Sequence, residues 1–355
     1  MMRTLVVALL TLGDPGRLTG GYLYHRRMAE AAPAHRANIE FVSVPERTFP
    51  LAVSDGREVV RRAFGRQPDV VLVDSIAAAF VAPWLPVRGR IAGVLHQPPG
   101  GIDHGPTRTR VQAALDRLAY GRMARVLVAS GHLADVLTAD GVPGEKIVVV
   151  PPGRDVADPP EGDPPDLRQG RRCAALCVAN WIPRKGILEL LAAVARLPME
   201  AVTLHLVGDV AADPDYAARV RRRLSRADLR DRVVEHGPVS TREVAALYAG
   251  ADVFALPSSK EPYGTVWGEA MAAGLPVVGW KAGNLPYLAD DRVEGFLLAP
   301  GDVSGLATAL RRLADDEGLR GRMGVAAARR AEARPTWKET ADLFFATLRE
   351  VAGIA

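Results

Sequence analysis

Cysteine is scarce in this sequence, and that scarcity excludes a class of protein. The 355 residues include only Cys173 and Cys177, too few for the disulfide framework of a small secreted domain. Their spacing places both on one face of a strand, and no pair of His or Cys residues nearby completes a zinc site. We therefore expect two buried thiols and a cytoplasmic protein.

Segregated charge is absent as well. The formal net charge is +4, and on division at residue 170 the first part has 20 Lys/Arg and 18 Asp/Glu, the second part 25 and 23. A nucleic-acid-binding domain usually presents a concentrated basic surface. No nucleic-acid partner is therefore expected.

Long hydrophobic runs are also missing. The apolar run at residues 5–12 is short, has no strong basic flank and ends in Gly-Asp-Pro-Gly, which predicts a first strand and its turn rather than a signal peptide. No run approaches the roughly 20 residues that cross a bilayer. What is present, 48% hydrophobic and 24% charged residues, is typical of a globular protein, and the length fits two domains.

Short β-branched runs alternate with helical patterns in both parts of the chain. This alternation predicts α/β domains with parallel sheets covered on both faces, which bind ligands beyond the carboxyl ends of their strands. The expected strands lie at residues 4–12, 39–44, 70–74, 91–96, 126–129 and 147–150, then from 174, and at 203–207, 233–235, 253–256, 276–279 and 296–298.

A linker interrupts this alternation. Residues 151–170 are rich in Pro, Gly and Asp and have no periodicity, as linkers do. We therefore place an N-terminal domain at 1–165 and a C-terminal domain at 171–335. A last helical pattern, within 336–355, could cross back to the first domain.

The segment 257–278, P-S-S-K-E-P-Y-G-T-V-W-G-E-A-M-A-A-G-L-P-V-V, carries the most chemistry. It follows an apolar strand, so its polar part lies at a carboxyl edge. A helix beginning near Gly264 and Thr265 has free N–H groups suited to a diphosphate. Glu261 precedes this helix and Glu269 lies inside it, so the two carboxylates can contact different parts of one ligand. The alternative is a capping acid and a salt-bridged Glu.

This segment resembles the E-x7-E signature of the retaining glycosyltransferases of family 4. Further resemblances follow in the family's order: Gly20-Gly21, His96, R-K-G at 184–186, L-V-G-D at 206–209 and H-G-P-V at 236–239. The resemblance spans nearly the whole chain. It implies the GT-B architecture, in which two doubly wound Rossmann-like domains face a central cleft, and a nucleoside-diphosphate sugar as donor.

The resemblance also implies roles in the C-terminal domain. Arg184 and Lys185 would bind the donor diphosphate, and two cations beside a helix start suit that role; solvated charges are the alternative. Glu261 would contact the donor sugar and Glu269 the ribose hydroxyls. The backbone of the segment after Glu261 would meet sugar and phosphate, and the loop after the 233–235 strand would pack near the nucleobase. These contacts involve Tyr263, Gly264, Thr265, Gly237 and Val239.

In the N-terminal domain the resemblance points to two glycines and a histidine. Gly20 and Gly21 would let a loop approach donor phosphate and acceptor, unless they only make a tight turn. His96 would hydrogen-bond the transferred sugar, unless it is a structural histidine. The loop after His96 is a guess for the acceptor side; Asp103, His104 and Arg108 are placed there by location alone.

The expected function is metal-independent, retaining transfer of a sugar to a hydroxyl of a small-molecule or lipid acceptor, with no cofactor. Asp213–Asp215 is better explained as a helix cap than as a metal site. The leaving phosphate would take the acceptor proton, so no protein base is nominated. Alternatives are a non-catalytic sugar-nucleotide-binding protein or another enzyme of the same fold, such as an epimerase or a phosphorylase.

Two features leave the substrates open. Family members often read G-G-x-x-E where this chain has G-N-L-P-Y at 283–287, which weakens inference about the donor. Peripheral membrane contact remains an alternative for the surface that carries Arg108, Arg110, Arg117, Arg122 and Arg125, although a solvated face explains it equally well. The oligomeric state is not indicated.

Overall fold

The computed structural model describes residues 3–16, 20–47, 49, 52–154 and 163–354. The chain divides into two compact units: unit 1 comprises Met1–Asp155 and Pro335–Ala355, and unit 2 comprises Val156–Arg334. Each unit contains one six-stranded sheet whose neighbouring strands all pair in parallel. The doubly wound α/β class predicted from the sequence is confirmed.

Unit 1 has the strand order β2-β1-β3-β4-β5-β6. The inner strands β3 and β4 are buried along their whole length, which is why their sequences are almost uninterrupted apolar runs. The strands are β1 (Leu5–Leu12), β2 (Ala37–Val44), β3 (Val70–Asp74), β4 (Ile91–Leu95), β5 (Arg125–Val128) and β6 (Ile147–Val149); the helices are α1 (Gly20–Ala31), α2 (Ala52–Gly65), α3 (Ser75–Val81), α4 (Pro106–Gly121) and α5 (Gly131–Ala139).

Unit 2 has the strand order β12-β11-β10-β7-β8-β9. The strands are β7 (Cys173–Val178), β8 (Val202–Val207), β9 (Val233–Gly237), β10 (Val253–Leu256), β11 (Val277–Trp280) and β12 (Gly295–Leu298); the helices are α6 (Ile187–Val194), α7 (Pro214–Leu224), α8 (Thr241–Gly250), α9 (Thr265–Ala272), α10 (Leu285–Leu288), α11 (Val303–Asp315) and α12 (Glu317–Glu332). All predicted strands are found in the two sheets, with boundaries that differ by a few residues at most.

The last helix, α13 (Trp337–Ala352), belongs to unit 1. Its residues Phe344, Phe345 and Leu348 lie in one core cluster with the strands of that unit. The segment entering it is fixed by a capping box of Thr336 and Glu339, an arrangement that satisfies otherwise unpaired N–H groups at a helix start. The chain therefore returns to its first unit after completing the second.

Three smaller expectations can be compared with the structure. Cys173 and Cys177 are buried free thiols, and burial raises the pKa of each to about 12. Asp213 caps α7 by accepting the N–H of Tyr216. The linker predicted at 151–170 is only partly visible, since 155–162 lie outside the described residues.

No helix in the described ranges combines the length and the apolar character that a bilayer crossing requires.

One buried carboxyl group in unit 1 holds a loop that follows β4. Asp116 on α4 is 1% exposed and accepts the N–H of Gly100 at 2.8 Å. Burial raises the pKa of Asp116 to about 7, against the N–H groups of Gly100 and Ala79 and the charge of Arg117, which lower it. Because Gly100 has φ +86° and an added Cβ would lie 2.6 Å from the Thr109 carbonyl, this loop lies tightly on α4.

The raised pKa predicts how Asp116 affects stability. Folding favours the protonated carboxyl group, so its contribution is fully present below pH 4 and is lost as the pH rises to about 7, a loss on the order of 4 kcal/mol. Asp116→Asn keeps an acceptor for Gly100 and does not ionise. The variant should therefore gain stability over the parent as pH rises from 4.5 to 8.5, measured by urea unfolding.

Glu145→Gln, at an exposed position of the same unit, is the matched control. Its free energy of unfolding should differ from that of the parent by the same amount at every pH. If the corresponding difference for Asp116→Asn did not grow with pH, the raised pKa assigned to Asp116 would be wrong.

Candidate active site

The loops that follow β7 and β10 meet in unit 2. The chain of unit 2 starts its sheet at β7 and then adds strands on both sides of it, so the β7–β10 neighbourhood is where strand order reverses. Such a point, beyond the carboxyl ends of the strands, is where open parallel sheets bind ligands. The loop after β7 carries Arg184 and Lys185, and the loop after β10 carries Glu261.

These three charged side chains form one cluster. Lys185 Nζ contacts Glu261 Oε2, and Arg184 Nη1 lies 3.5 Å from the same oxygen. The side chains of Arg184, Lys185 and Glu261 are 19%, 12% and 14% exposed. Two cations and one carboxylate leave a net positive charge in a partly buried place. That arrangement suits an anionic ligand.

The two loops are joined by main-chain contacts. The carbonyl of Arg184 accepts the N–H of Ser259 at 2.8 Å and the hydroxyl of Ser258 at 3.1 Å. Gly186 has φ +71°, and an added Cβ would lie 2.2 Å from the Pro257 carbonyl oxygen. Only glycine permits this approach. The backbone that carries the Arg184 and Lys185 side chains is therefore fixed.

The helix predicted near Gly264 is confirmed. α9 begins at Thr265, directly after Gly264, whose φ is +81°. A Cβ at Gly264 would lie 2.4 Å from Cε3 of the buried Trp267, so glycine is required by conformation and by space. Thr265 is exposed, which leaves the helix start accessible to an anion.

Glu269 lies one turn inside α9 and is exposed. Its Oε2 accepts the hydroxyl of Tyr248 on α8 at 3.1 Å. Burial, and after it the charge of Glu269, raises the pKa of Tyr248 well above its usual range. The phenol thus stays a donor that orients this carboxylate.

The departure from the family pattern at 283–287 has a structural explanation. The N–H of Asn284 donates to the Glu261 carbonyl at 2.9 Å, and its Nδ2 donates to the Tyr263 carbonyl at 2.8 Å. Gly283 has φ +56°, and an added Cβ would lie 2.6 Å from the Glu261 carbonyl oxygen. Asn284 is 2% exposed, so this segment braces the loop that carries Glu261. Tyr287, by contrast, is 43% exposed.

Tyr263 is held by a residue that the sequence did not single out. Arg334 donates to the Tyr263 hydroxyl, and its guanidinium lies 5.3 Å from the centre of the ring. Burial raises the pKa of Tyr263, although Arg334 opposes this. The Tyr263 side chain is therefore anchored within unit 2.

Gly237 and Val239 lie where β9 ends. Gly237 has φ +68°, and its carbonyl accepts the N–H of Gly208 at 2.9 Å. Val239 packs against the core of unit 2. The preceding His236 contacts His205 on β8 through Nε2 at 2.9 Å. The His236 ring is thus bonded within the sheet, and a backbone contact of this loop with the nucleobase stays a prediction.

In unit 1, the glycine pair lies at the start of a helix, and its expected role stays a prediction. Gly20 and Gly21 are the first residues of α1, not part of a loop, and neither has positive φ. Nothing in the described residues lies within 4 Å of a Cβ added at Gly20, whereas one at Gly21 would lie 3.4 Å from the His96 ring. A Cβ at Gly21 would therefore make an ordinary van der Waals contact with that ring.

His96 follows β4, which ends one residue earlier than predicted. Burial, together with the charge of His25, lowers the pKa of His96 to about 3, so its ring is neutral at physiological pH. Its Nε2 is buried and has no hydrogen-bond partner within the described part of the chain. His96 is therefore a neutral imidazole with one ring nitrogen unused by the fold.

The residues guessed for the acceptor side lie in and after the loop that Asp116 holds. Asp103 has φ +65°. Partial burial, and then the charge of Arg108, lowers the pKa of His104, against Asp103, which raises it. The Arg108 guanidinium lies 5.6 Å from the ring centre of Phe49. The three predicted residues are therefore electrostatic neighbours.

The arginines considered for membrane contact do not form one helical face. α4 ends at Gly121, and Arg125 lies on β5. Arg117 pairs with Asp140, Arg122 donates to the carbonyls of Ala82 and Leu85, and Arg125 pairs with Glu350. Three of the five arginines thus serve contacts within unit 1.

Sequence reasoning missed a polar group at the carboxyl end of β3. Asp74 follows the apolar run V-V-L-V, and a charged residue in that position could have been noticed. Its partner His25, inside a helix, gave no such signal. In the described ranges, no group of three or more His, Cys, Asp or Glu residues is placed to hold a metal ion.

Two family models match the chain, one in each unit. The model described as "Glycosyltransferase Family 4" matches residues 7–158, and the model described as "Glycosyl transferases group 1" matches residues 166–330.

Curated relatives agree with these matches. A D-inositol 3-phosphate glycosyltransferase of Xylanimonas cellulosilytica is 38% identical over 157 residues, which cover 44% of this chain and 37% of that protein. An MMP alpha-(1->4)-mannosyltransferase of Mycolicibacterium hassiacum is 35% identical over 218 residues, covering 60% and 51%. The matches thus span about a third to a half of the length of these relatives.

A solved structure extends the likeness to the whole chain at the level of the fold. HepE of Anabaena, crystallised in complex with UDP and glucose, superposes with a TM-score of 0.76 at 22% identity, covering 97% of this chain and 99% of that one. With both units matched by family models and the architecture shared, the chain belongs to the GT-B glycosyltransferases of the family 4 type.

Proposed function

We propose that this protein is a retaining glycosyltransferase that moves a sugar from a nucleoside-diphosphate sugar to a hydroxyl of a small-molecule or lipid acceptor. The observation that carries the proposal is the cluster of Arg184, Lys185 and Glu261 beside the start of α9. It combines cations, a carboxylate and free helix N–H groups at the ligand-binding edge of a parallel sheet.

Each part of this cluster suits one part of such a donor. Arg184 and Lys185 would stabilise the charge that develops on the diphosphate as its bond to the sugar breaks. Glu261 would accept hydrogen bonds from sugar hydroxyls, and Glu269, oriented by Tyr248, from those of the ribose. A diphosphate oxygen would take the proton of the acceptor hydroxyl on the face it has just left, which gives retention without a protein base.

The comparisons support a nucleotide donor and leave its identity open. The Anabaena structure holds UDP and glucose, which favours a nucleoside diphosphate in the corresponding place. The two curated relatives are named for different transfers, so the acceptor and the linkage do not follow from them. We infer a donor site that is independent of metal and cofactor, in a cytoplasmic protein.

The proposal is tested by a donor screen followed by a transfer assay. Thermal shifts with UDP-, GDP-, ADP- and TDP-sugars identify the nucleotide, and release of the nucleoside diphosphate is then followed with hydroxylated acceptors, including D-inositol 3-phosphate. Binding of one donor without hydrolysis or transfer would favour a sugar-nucleotide-binding protein. Conversion of the donor to an isomeric sugar nucleotide would favour an epimerase.

Activity should be unchanged by EDTA, because the cations of the cluster and the helix start supply the positive charge that a metal would otherwise provide. The rate of nucleoside diphosphate release is measured with and without the chelator. Loss of activity on chelation, with recovery on adding Mg²⁺ or Mn²⁺, would contradict metal independence.

Lys185→Ala should slow transfer more than it weakens binding of the nucleoside diphosphate, since its charge matters most when the leaving group develops charge. We expect kcat to fall by about 10²- to 10³-fold, measured under saturating donor. Lys260→Ala removes an exposed lysine of the neighbouring loop and is the matched control. Equal losses in kcat and in affinity for Lys185→Ala would argue for a role in binding alone.

Glu269→Ala should weaken nucleoside diphosphate binding by about 10- to 100-fold, because it removes a charged hydrogen-bond acceptor. Isothermal titration calorimetry measures the affinity. Glu332→Ala, at an exposed position of α12, should bind as the parent does. Unchanged affinity in Glu269→Ala would disprove the ribose assignment.

A further inference from the structure

Asp74 and His25 form a buried hydrogen-bonded pair in unit 1. His25 Nε2 lies 2.8 Å from Asp74 Oδ2, and the two side chains are 1% and 3% exposed. Asp74 ends β3, beside β1, and strand order in unit 1 reverses between β1 and β3. The pair therefore lies at the sheet edge where ligands of such folds bind.

The surroundings of Asp74 keep it ionised. Burial by itself would raise its pKa, but the charge and hydrogen bond of His25, with further help from His96 and the Ile76 N–H, hold the pKa below its usual value. Thr11 Oγ1 donates to it at 3.2 Å and Ser75 Oγ at 3.1 Å. An ionised carboxylate only accepts, so the proton shared with His25 lies on Nε2 of the imidazole.

Both residues of the pair are connected to His96, Asp74 through the Ser75 hydroxyl and His25 through ring packing. The N–H of His96 donates to Ser75 Oγ at 3.3 Å, and this hydroxyl is the one bonded to Asp74. The His25 and His96 rings lie 5.1 Å apart between centres at 67°, and Tyr24 packs on His96 at 4.7 Å. The Ser75 hydroxyl, itself bonded to Asp74, thus fixes the backbone of His96. Packing against Tyr24 and His25 of α1 fixes the His96 ring.

We propose that Asp74 and His25 are positioning residues that fix His96 for the sugar-transfer reaction. This inference rests on the function proposed above and on the contact with the transferred sugar that the family resemblance implies for His96. His96 keeps a buried ring nitrogen, Nε2, that no described residue hydrogen-bonds, whereas Asp74 and His25 bond to each other. The pair therefore acts through His96 and does not touch substrate.

Among the described residues, the titratable groups that contact His96 or act on its pKa are His25 and Tyr24 on α1 and Asp74 on β3. Tyr120 on α4 interacts in turn with Asp74. Asp74→Asn keeps one acceptor oxygen and replaces the other by an NH₂ donor, so either His25 Nε2 or the Ser75 hydroxyl loses its acceptor. The His96 ring should then change orientation and proton affinity.

The test compares two buried aspartates at opposite ends of one strand. Asp69, just before β3, is 3% exposed and bonds Arg3 and the Val6 N–H, so Asp69→Asn measures the structural effect of losing a buried charge. Asp74→Asn should lower kcat by about 10- to 100-fold, the scale expected for a misplaced group. Its affinity for the nucleoside diphosphate, bound by unit 2, should equal that of Asp69→Asn.

A double variant separates positioning from independent effects. Asp74→Asn added to His96→Ala should cause no further loss of kcat beyond that of His96→Ala alone. Multiplicative losses, or a folded Asp74→Asn as active as Asp69→Asn, would overturn the proposal. No transfer by the parent protein with any donor of the panel would instead reject the proposed function.

If Asp74→Asn does not fold, a second pair of variants tests the proposal. His25→Gln retains an N–H donor toward Asp74, whereas His25→Leu fills the space without one. Only His25→Leu should lower kcat and shift the ¹⁵N signals of the His96 imidazole in spectra at pH 6–8. Equal activity and equal His96 spectra in the two variants would contradict a positioning role, whether or not the parent transfers sugar.

Discussion

In a parallel sheet every strand ends at the same edge, and this constraint places the chemistry of both units. The loops after β7 and β10 are more than 70 residues apart in sequence, yet the carbonyl of Arg184 accepts the N–H of Ser259 at 2.8 Å. β7 and β10 are neighbours in one sheet, and β1 and β3 in the other, although neither pair is consecutive in the chain. At such points the loops after the two strands diverge, which opens a space between them. The charge cluster of unit 2 and the buried pair of unit 1 occupy these two places.

The charge cluster of unit 2 and the buried pair of unit 1 differ in solvent exposure and in what keeps them rigid. In unit 2 the charged side chains remain partly exposed, and rigidity comes from the backbone, through glycines with positive φ at Gly186, Gly264 and Gly283. In unit 1 the Asp74 carboxylate is removed from water, which is tolerated because it accepts hydrogen bonds from His25, Thr11 and Ser75. A site that exchanges a charged ligand needs accessible charges; a support for a neutral imidazole does not.

At 283–287, where this chain departs from the family pattern, Gly283 and Asn284 support the loop that carries Glu261. Asn284 supplies a side-chain donor to the Tyr263 carbonyl. Gly283, which has no Cβ, lets the main-chain N–H of Asn284 reach the Glu261 carbonyl. These contacts need glycine at 283, where an added Cβ would lie 2.6 Å from the Glu261 carbonyl oxygen, and a side-chain donor at 284. Both residues therefore act within the protein, on the loop that carries Glu261.

The sequence by itself determined the fold class, all twelve strands and the helix after Gly264, because apolar periodicity and glycine preferences are local properties. It also marked Arg184, Lys185, Glu261 and Glu269 as a set, through their order along the chain. Only the tertiary structure decided that Gly20 and Gly21 begin a helix, that Asn284 supports Glu261, and that His25 pairs with Asp74. Those contacts join residues between 23 and 49 positions apart, or depend on where a helix starts relative to the sheet, and no local pattern encodes either.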